Sequence, residues 1–348
     1  MAINYTGGTR SQTELEEIQK ELYAESFTIR ESLIDINEGH KNGAEVFESG
    51  ATVTASAATT GKVTATGDIA LNVNKTDVFL SHFQFEDVID DKQLLGTRFE
   101  KSMARGAFNV VSDEFDQRVL IQVADAIGEK VESMIWHGAT AAQKTAIAGL
   151  TPGAGQGSIS AGAQTLVAAM PTNLVNSLPA TILYNNSQAK AVPGAGLGDY
   201  IKVPSISAIT ASTIAGEYEK MYAVAPSKAV NHRSEPSKIF APLAHRQLIK
   251  IANNQVSATA DNKNFLIEGS GENEVISYNG HIIEFVPLVG FMIFAIPSYL
   301  KLLMDLVSDV SSLEIDRLSD GARQRFIKNV QTMTTWVVGQ KYVTLYGG

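Results

Sequence analysis

The sequence contains no cysteine, which excludes disulfide staples, thiolate nucleophiles and cysteine-based metal sites together. Positive charge is in short supply. With 28 Lys and Arg against 37 Asp and Glu, the formal net charge is −9 and the pI is near 5.2. That excludes a surface whose main work is gripping phosphate backbones. Histidine is scarce as well. His40, His82, His137, His232, His245 and His281 include no HExxH, no HxH and no pair at metal-ligand spacing, so each reads as an ordinary surface or core histidine. Long apolar runs are missing too. The best candidate, Phe285 to Leu300, is short of a bilayer span and is broken by Pro287, Gly290 and Pro297, so buried strands explain it better than a membrane does. The opening MAINYTGGTRSQTELEEIQ lacks the basic patch and apolar run of a secretion signal. Finally, the first 151 residues contain no proline, and all ten prolines lie at or beyond Pro152. This skew predicts long uninterrupted elements first and short turned ones later.

What is present is an ordinary folded composition, 44% hydrophobic and 19% charged over 348 residues. That is long enough for a large core or for two compact units with extensions. Ser11 with Glu14 forms a capping box that opens a short helix to about Ala24, with Leu15, Ile18 and Leu22 as one narrow apolar stripe. From Ala51 to Glu86 the pattern turns to strand, rich in Val, Thr and Ala, with turn signals at Thr60-Gly61 and Gly67-Asp68. Its apolar residues are few and small, so this hairpin reads as a protruding arm that finds its packing elsewhere. The stretch with Val78, Leu80, Phe83 and Phe85 alternates imperfectly, as a partly buried strand does.

SDEFDQRVLIQVADAIGEKVESMIWHG, from Ser112 to Gly138, predicts one long helix, with Phe115, Val119, Val123, Ile127, Val131 and Ile135 at helical spacing. A capping box at Thr97 and Glu100 extends it backwards through Phe99, Met103, Ala107, Val110 and Val111. Unbroken, it would span about 60 Å at ~1.5 Å per residue, with Gly106 and Gly128 as the places where a kink would fall. Gly138 suits the left-handed residue after the helix end. Its charges exclude a membrane span.

Beyond Thr151 the reading is mixed. Thr210 to Ala225 is an amphipathic helix with Ile214, Tyr218, Met221 and Tyr222 inward, stopped at Pro226. SKIFAPLAHRQLIKIA is a strand leading into a helix near Pro242, and EVISYNGHIIEFVPL is a hairpin about Asn279-Gly280. The tail, RQRFIKNVQTMTTWVVGQKYVTLYG, reads as a pair of strands joined near Gly339-Gln340 and packed through Trp336, Val338 and Val343.

Chemistry is hard to find. Gly153 to Gly157 and Gly194 to Gly198 imitate half of a phosphate-binding fingerprint, yet neither follows a buried strand and opens a helix with a basic residue. The carboxylates Asp90-Asp91, Asp113-Glu114 and Asp305/Asp309 have no activated nucleophile to work with; Asp113, Glu114 and Asp116 suit the dipole of a first helical turn. Arg323, Arg325 and Lys328 are read as lining one strand face, toward an acidic neighbour, nucleic acid or plain solvent. No residue is assigned a catalytic, cofactor-binding or metal-binding role, and no enzyme is indicated.

The order of elements resembles the major capsid proteins of tailed bacteriophages, the Hong Kong 97-type fold shared by encapsulin shells. TRFEKSMARGAFNVVSDEFDQRVLIQVADAI is similar to that family's spine helix. YNGHIIEFVPLVG with LVSDVSSLEIDRL resembles the end of its axial domain, and RFIKNVQTMTTWVVGQKYVTLYG the closing strands of its peripheral domain. The resemblance implies an α+β chain with an amino-terminal arm over 1–45 and an extended hairpin loop over 46–90. It implies a peripheral domain with the spine helix over 91–150, an axial domain over 151–318 and closing strands over 319–348. It further implies a virion shell protein, assembled in the host bacterial cytoplasm into hexamers and pentamers through the arm and the loop. The implied contents are double-stranded DNA, contacted non-specifically, and the implied companions are scaffolding, portal and cement proteins, with any scaffold a separate chain. No membrane is involved. Some members of the family staple subunits with a Lys–Asn isopeptide bond assisted by a Glu. Asn329 falls at a plausible position, with Lys62 or Lys75 on the loop, but Phe326 to Tyr346 contains no Asp or Glu, so no self-crosslinking is expected. An encapsulin-type compartment remains open beside the capsid reading, as does an α/β enzyme holding a ligand on the glycine-rich loops. A fibre or adhesin subunit is disfavoured by the long helix and the absence of repeats.

Overall fold

Most strands arise where β-branched and aromatic residues alternate between turn signals, and the long helix arises where that alternation gives way to helical spacing. The computed structural model describes residues 26–53, 69–90, 113–150, 160–187, 209–232, 234–255, 265–269, 274–305, 314–317, 324–338 and 342–347. The expected helices over Ser11–Ala24 and from Thr97, both glycine-rich loops, Lys62, Asp91, Asp309 and Arg323 lie outside the described residues. The class is α+β, as expected.

Contacts divide the chain into two units. The first takes in the described parts of Met1–Asn42, Leu80–Ser133 and Leu303–Thr334, the second those of Gly43–Phe79, Met134–Leu302 and Thr335–Gly348.

In the first unit, a short helix α1 (Phe27–Arg30) and strand β1 (Asp35–Asn37) precede β4 (Ser81–Asp90). Much of the long helix α2 (Asp113–Trp136) follows. Its 24 residues run about 36 Å at ~1.5 Å each and pass through Gly128 without a break. One sheet has the order β1, β10 (Leu300–Met304), β12 (Gln324–Val337), β11 (Glu314–Arg317), with β4 also paired to β12. The β4–β12 ladder is antiparallel and regular from Gln324↔Asp90 to Met333↔Ser81. That regularity corrects the basic stripe: positions 325 and 328 differ by an odd step, so an unbroken strand puts them on opposite faces.

The second unit is built on a sheet of order β13 (Thr344–Gly347), β9 (Phe291–Ala295), β5 (Lys238–Pro242), β8 (His281–Val286), β7 (Val275–Tyr278), β6 (Phe265–Glu268). The tail has two strands on either side of Gly339-Gln340, as expected, but they do not pair with each other. β12 belongs to the first sheet while β13 pairs with β9. Similar alternation in both strands hid the change of sheet. The turn at Asn279-Gly280 is as expected, with φ of 49° and 82°, the left-handed pair that a two-residue hairpin demands. The apolar run from Phe285 to Leu300 is the end of β8, all of β9 and the start of β10, and every residue of β9 is buried. No helix among the described residues is long and apolar enough to cross a membrane.

Helices α6 (Ile214–Val224) and α8 (Leu243–Gln255) cover one face of this sheet. Between α2 and α6 in chain order come α3 (Ala141–Ala148), α4 (Ala161–Ala169) and α5 (Leu178–Ser187), and the single turn α7 (Ser227–Val230) follows α6 just before β5. Ile214, Tyr218 and Met221 are fully buried with Ile249, Phe265, Ile276 and Phe294, and Tyr222 packs at the margin, as the spacing predicted. A second cluster joins Ile147, Ala163, Val167, Met170, Leu183 and Phe291. Thr140 Oγ1 accepts from Gln143 N at 3.2 Å and Ser160 Oγ accepts from Ala163 N at 3.1 Å, capping α3 and α4.

Within the first cluster, Tyr218 Oη and His245 Nδ1 lie 3.2 Å apart. Burial pulls the His245 imidazole down to about 4 from 6.5. The folded chain therefore takes up this proton later than the unfolded one, and stability present above pH 6.5 drains away as the pH falls toward 4. The loss is on the order of 3 kcal/mol at ~1.4 kcal/mol per unit. Urea midpoints measured at pH 7, 5.5 and 4.5 are expected to fall less in His245→Gln than in the parent chain. Parallel curves would show that His245 carries none of the dependence.

Candidate assembly elements

Strands β2 (Gly43–Val53) and β3 (Ile69–Phe79) pair antiparallel along their whole length, from Gly43↔Phe79 to Val53↔Ile69. The first strand begins at Gly43, earlier than the expected Ala51, and β4 leaves the ribbon to join β12. Among the described residues no third strand joins the pair, and β2 and β3 pack substantially only on each other. Eleven residues per strand give a ribbon about 33 Å long at ~3.3 Å per residue.

The root of the ribbon is well tied. Leu80 N donates to Asn42 O at 3.2 Å. The His82 ring lies 3.1 Å from Asn42 Oδ1 through Nε2 and 2.7 Å from Thr332 Oγ1 through Nδ1, linking the point where the ribbon leaves to β12. Ala44 and Val78 are buried, while Phe79 is 78% exposed. Lys75 bonds Glu45 and lies 3.4 Å from Asp77; the Glu45 hydrogen bond is the main cause that raises its ammonium above the usual range.

A second tie holds the residues before β1. Glu132, buried on α2, accepts from Ser26 Oγ at 3.0 Å, Thr28 N at 3.0 Å and Thr28 Oγ1 at 2.6 Å. The sequence reading missed it. Glu132 sits four residues before Trp136 and three before Ile135, on the helix side that is apolar, and an acid there was the available signal.

At the end of α2 the chain turns at Gly138, φ +147°, as its position predicted. A side chain there would overlap Asn173, whose Nδ2 donates to His137 O at 3.1 Å. Ser177 N donates to Gly138 O at 3.1 Å, and Thr140 N to Asn176 Oδ1 at 2.9 Å. Thr335 Oγ1 closes the corner on Asn176 O at 2.6 Å. A third tie secures β13. Glu217 accepts from the Tyr346 hydroxyl and from Lys220 Nζ at 2.8 Å. Burial pushes the Glu217 carboxyl up, but the Lys220 and Tyr346 bonds together outweigh it and hold it below the usual range. Burial also pushes the Tyr346 hydroxyl well up.

Chemically these are fasteners. Among the described residues no group of three or more His, Asp or Glu is placed to hold a metal. The histidines are dispersed; His281 Nδ1 meets Ser237 O at 3.0 Å and His232 Nδ1 meets Glu235 O at 3.0 Å. Asp90 ends β4 and Asp113 opens the described part of α2. Asp305 serves through its backbone, accepting from Gly39 N at 2.7 Å. Asn329 is buried in β12 opposite Phe85, accepting from Gln331 Nε2 at 2.7 Å.

No family model matches the sequence, and no curated protein matches it. Solved structures do. The chain is similar to the capsid of Myoviridae phage XM1 at TM-score 0.48 and 11% identity, over 98% of this chain and 99% of that one. It is similar to the procapsid of satellite phage P4, which includes a size determination protein, at 0.46 and 12%, over 98% and 91%. It is also similar to an encapsulin complex from Synechococcus elongatus at 0.45 and 7%, over 98% and 92%. At such identities and TM-scores no residue of this chain is matched to a role in those proteins.

Proposed function

We propose that this chain is a structural shell subunit, the major capsid protein of a tailed phage, forming hexamers and pentamers around double-stranded DNA. The observation that carries the proposal is the β2–β3 ribbon. A lone two-stranded ribbon is marginal in water, and this one packs substantially on no other described element of its own chain. Cover supplied by a neighbouring copy makes such a ribbon stable, and in a closed assembly every copy both gives and receives it. In this reading residues 46–90 are the extended loop, 1–45 the arm, 91–150 and 319–348 the peripheral domain and 151–318 the axial domain. The net charge of −9 suits a container that does not hold its contents tightly.

Electron microscopy of the purified protein tests this. Closed shells of uniform size are expected, and a small monodisperse oligomer at every concentration and salt would overturn the proposal. Shells purified from the source that hold protein cargo in place of nucleic acid would favour the encapsulin-type reading. With Asn329 buried and Lys75 engaged by Glu45 and Asp77, boiling the particles in detergent is expected to give a single band. A ladder of covalent oligomers would contradict that.

A further inference from the structure

The dipeptide Asn-Gly occurs twice in the chain, at Asn42-Gly43 and at Asn279-Gly280, and the fold treats the two in opposite ways. In this pair a backbone amide nitrogen reaches the preceding side-chain carboxamide with least hindrance, because glycine puts no Cβ beside it. The reaction is intramolecular, so its rate depends on whether the surroundings let the two groups meet.

At Asn42 they are held. Its Oδ1 lies 3.1 Å from His82 Nε2, and the other nitrogen of that ring lies 2.7 Å from Thr332 Oγ1. The Asn42 backbone oxygen accepts from Leu80 N at 3.2 Å. Gly43 opens β2 opposite Phe79, and a Cβ there would stand 3.2 Å from the Val78 carbonyl oxygen. Ring closure at Asn42 has to break the His82 bond and disturb the root of the ribbon.

The other site is open. Asn279 and Gly280 are both exposed, and among the described residues the Asn279 carboxamide has no hydrogen-bond partner. Nothing lies within 4 Å of where a Cβ on Gly280 would stand. The β7–β8 ladder ends at Tyr278↔His281, so the Gly280 nitrogen belongs to the turn and not to the paired residues. Both flanking residues are anchored. The Tyr278 ring lies 5.3 Å from that of Phe265, and the His281 ring 5.0 Å from that of Phe294. A rearrangement of the turn therefore moves only the two residues that react.

We propose that Asn279 is a site of spontaneous chemical modification and that Asn42 is protected from it. The Gly280 nitrogen attacks the Asn279 side-chain carbonyl carbon and forms an N–C bond. The bond from that carbon to the carboxamide nitrogen breaks, and ammonia leaves with the proton from Gly280. Water then opens the five-membered imide. Addition at the side-chain carbonyl gives aspartate, and addition at the backbone carbonyl gives isoaspartate. Nothing is oxidised or reduced, and either product adds one negative charge. Asp-Gly suits the same turn, so the aspartate product keeps the hairpin. Isoaspartate adds one main-chain atom to a two-residue loop clamped between Tyr278 and His281, and so strains the β7–β8 pairing.

The test ages the full chain at mildly alkaline pH and follows both sites by peptide mass spectrometry, with isoaspartate told from aspartate by electron-transfer fragmentation. Asn279 is expected to convert about tenfold faster than Asn42 or more, a factor of the size carried by one hydrogen bond that must break first. In chain unfolded by urea the two sites are expected to convert at similar rates. Equal rates in the folded chain, or an Asn279 that stays intact while the unfolded chain converts, overturn the proposal. The aged, isoaspartate-bearing fraction is expected to melt below Asn279→Asp, which carries the same charge on an ordinary main chain. Equal melting of the two overturns the strain assigned to isoaspartate.

Discussion

Replacing Glu132 by alanine is expected to destabilise the first unit by about 3 kcal/mol or more, since hydrogen bonds to a charged group contribute ~1.5–3 kcal/mol each. The carboxylate accepts from Ser26 Oγ, Thr28 N and Thr28 Oγ1, and all three residues are buried. A methyl group takes this acceptor from the Thr28 amide in a place water does not reach, and a buried donor left without its acceptor costs about 1–3 kcal/mol by itself. Glu132→Gln keeps the shape and one oxygen, so it is expected to cost less than half as much. Chemical denaturation followed by far-UV circular dichroism measures both. Trypsin supplies a local readout, because Arg30 lies two residues beyond Thr28 and is exposed. Cleavage after Arg30 is expected to quicken at least tenfold in Glu132→Ala and little in Glu132→Gln. Equal rates in all three proteins would show that this carboxylate does not hold the segment.

Trp136→Ala is expected to cost about 3–5 kcal/mol, as large aromatic truncations in closed cores do. Trp136 closes α2, is 0% exposed and heads the largest fully buried side chains. Its ring packs 5.1 Å from that of Phe240, tilted by 30°, an offset aromatic pair that adds to plain burial. Trp136→Phe keeps part of the contact and is expected to lose about half as much. Thermal unfolding by circular dichroism suits the comparison, since only Trp336 remains to fluoresce once Trp136 is gone. A melting curve unchanged in Trp136→Ala would mean that the helix end is held by its Gly138–Asn173 corner alone.

How far the sequence was legible depended on how local each determinant is. Ile214, Tyr218 and Met221 repeat at helical spacing, and Pro226 ends the run, so the end of α6 falls within a residue of the expected one, while its start at Ile214 comes four residues after the expected Thr210. Asn279-Gly280 and Gly138 declared their backbone conformations by residue type alone. The Glu132 fastener was invisible because its partners are 104 and 106 residues away, and no short-range pattern encodes that distance. The partners of the two tail strands were hidden for a related reason. β12 and β13 look alike residue by residue, and what separates them is the partner each finds, β4 for one and β9 for the other.

The β4–β12 ladder also sets an order in time. Ser81 pairs with Met333 and Asp90 with Gln324, so a strand made early in synthesis waits for one made near its end. At about 5–20 residues per second the ribosome takes roughly 10 to 50 s to cover that distance. The second unit's β5, β8 and β9 find one another within a far shorter stretch of chain. The β4–β12 ladder therefore closes long after β5, β8 and β9 have met, and a nascent chain halted before residue 324 leaves β4 without the partner that its backbone hydrogen bonds require.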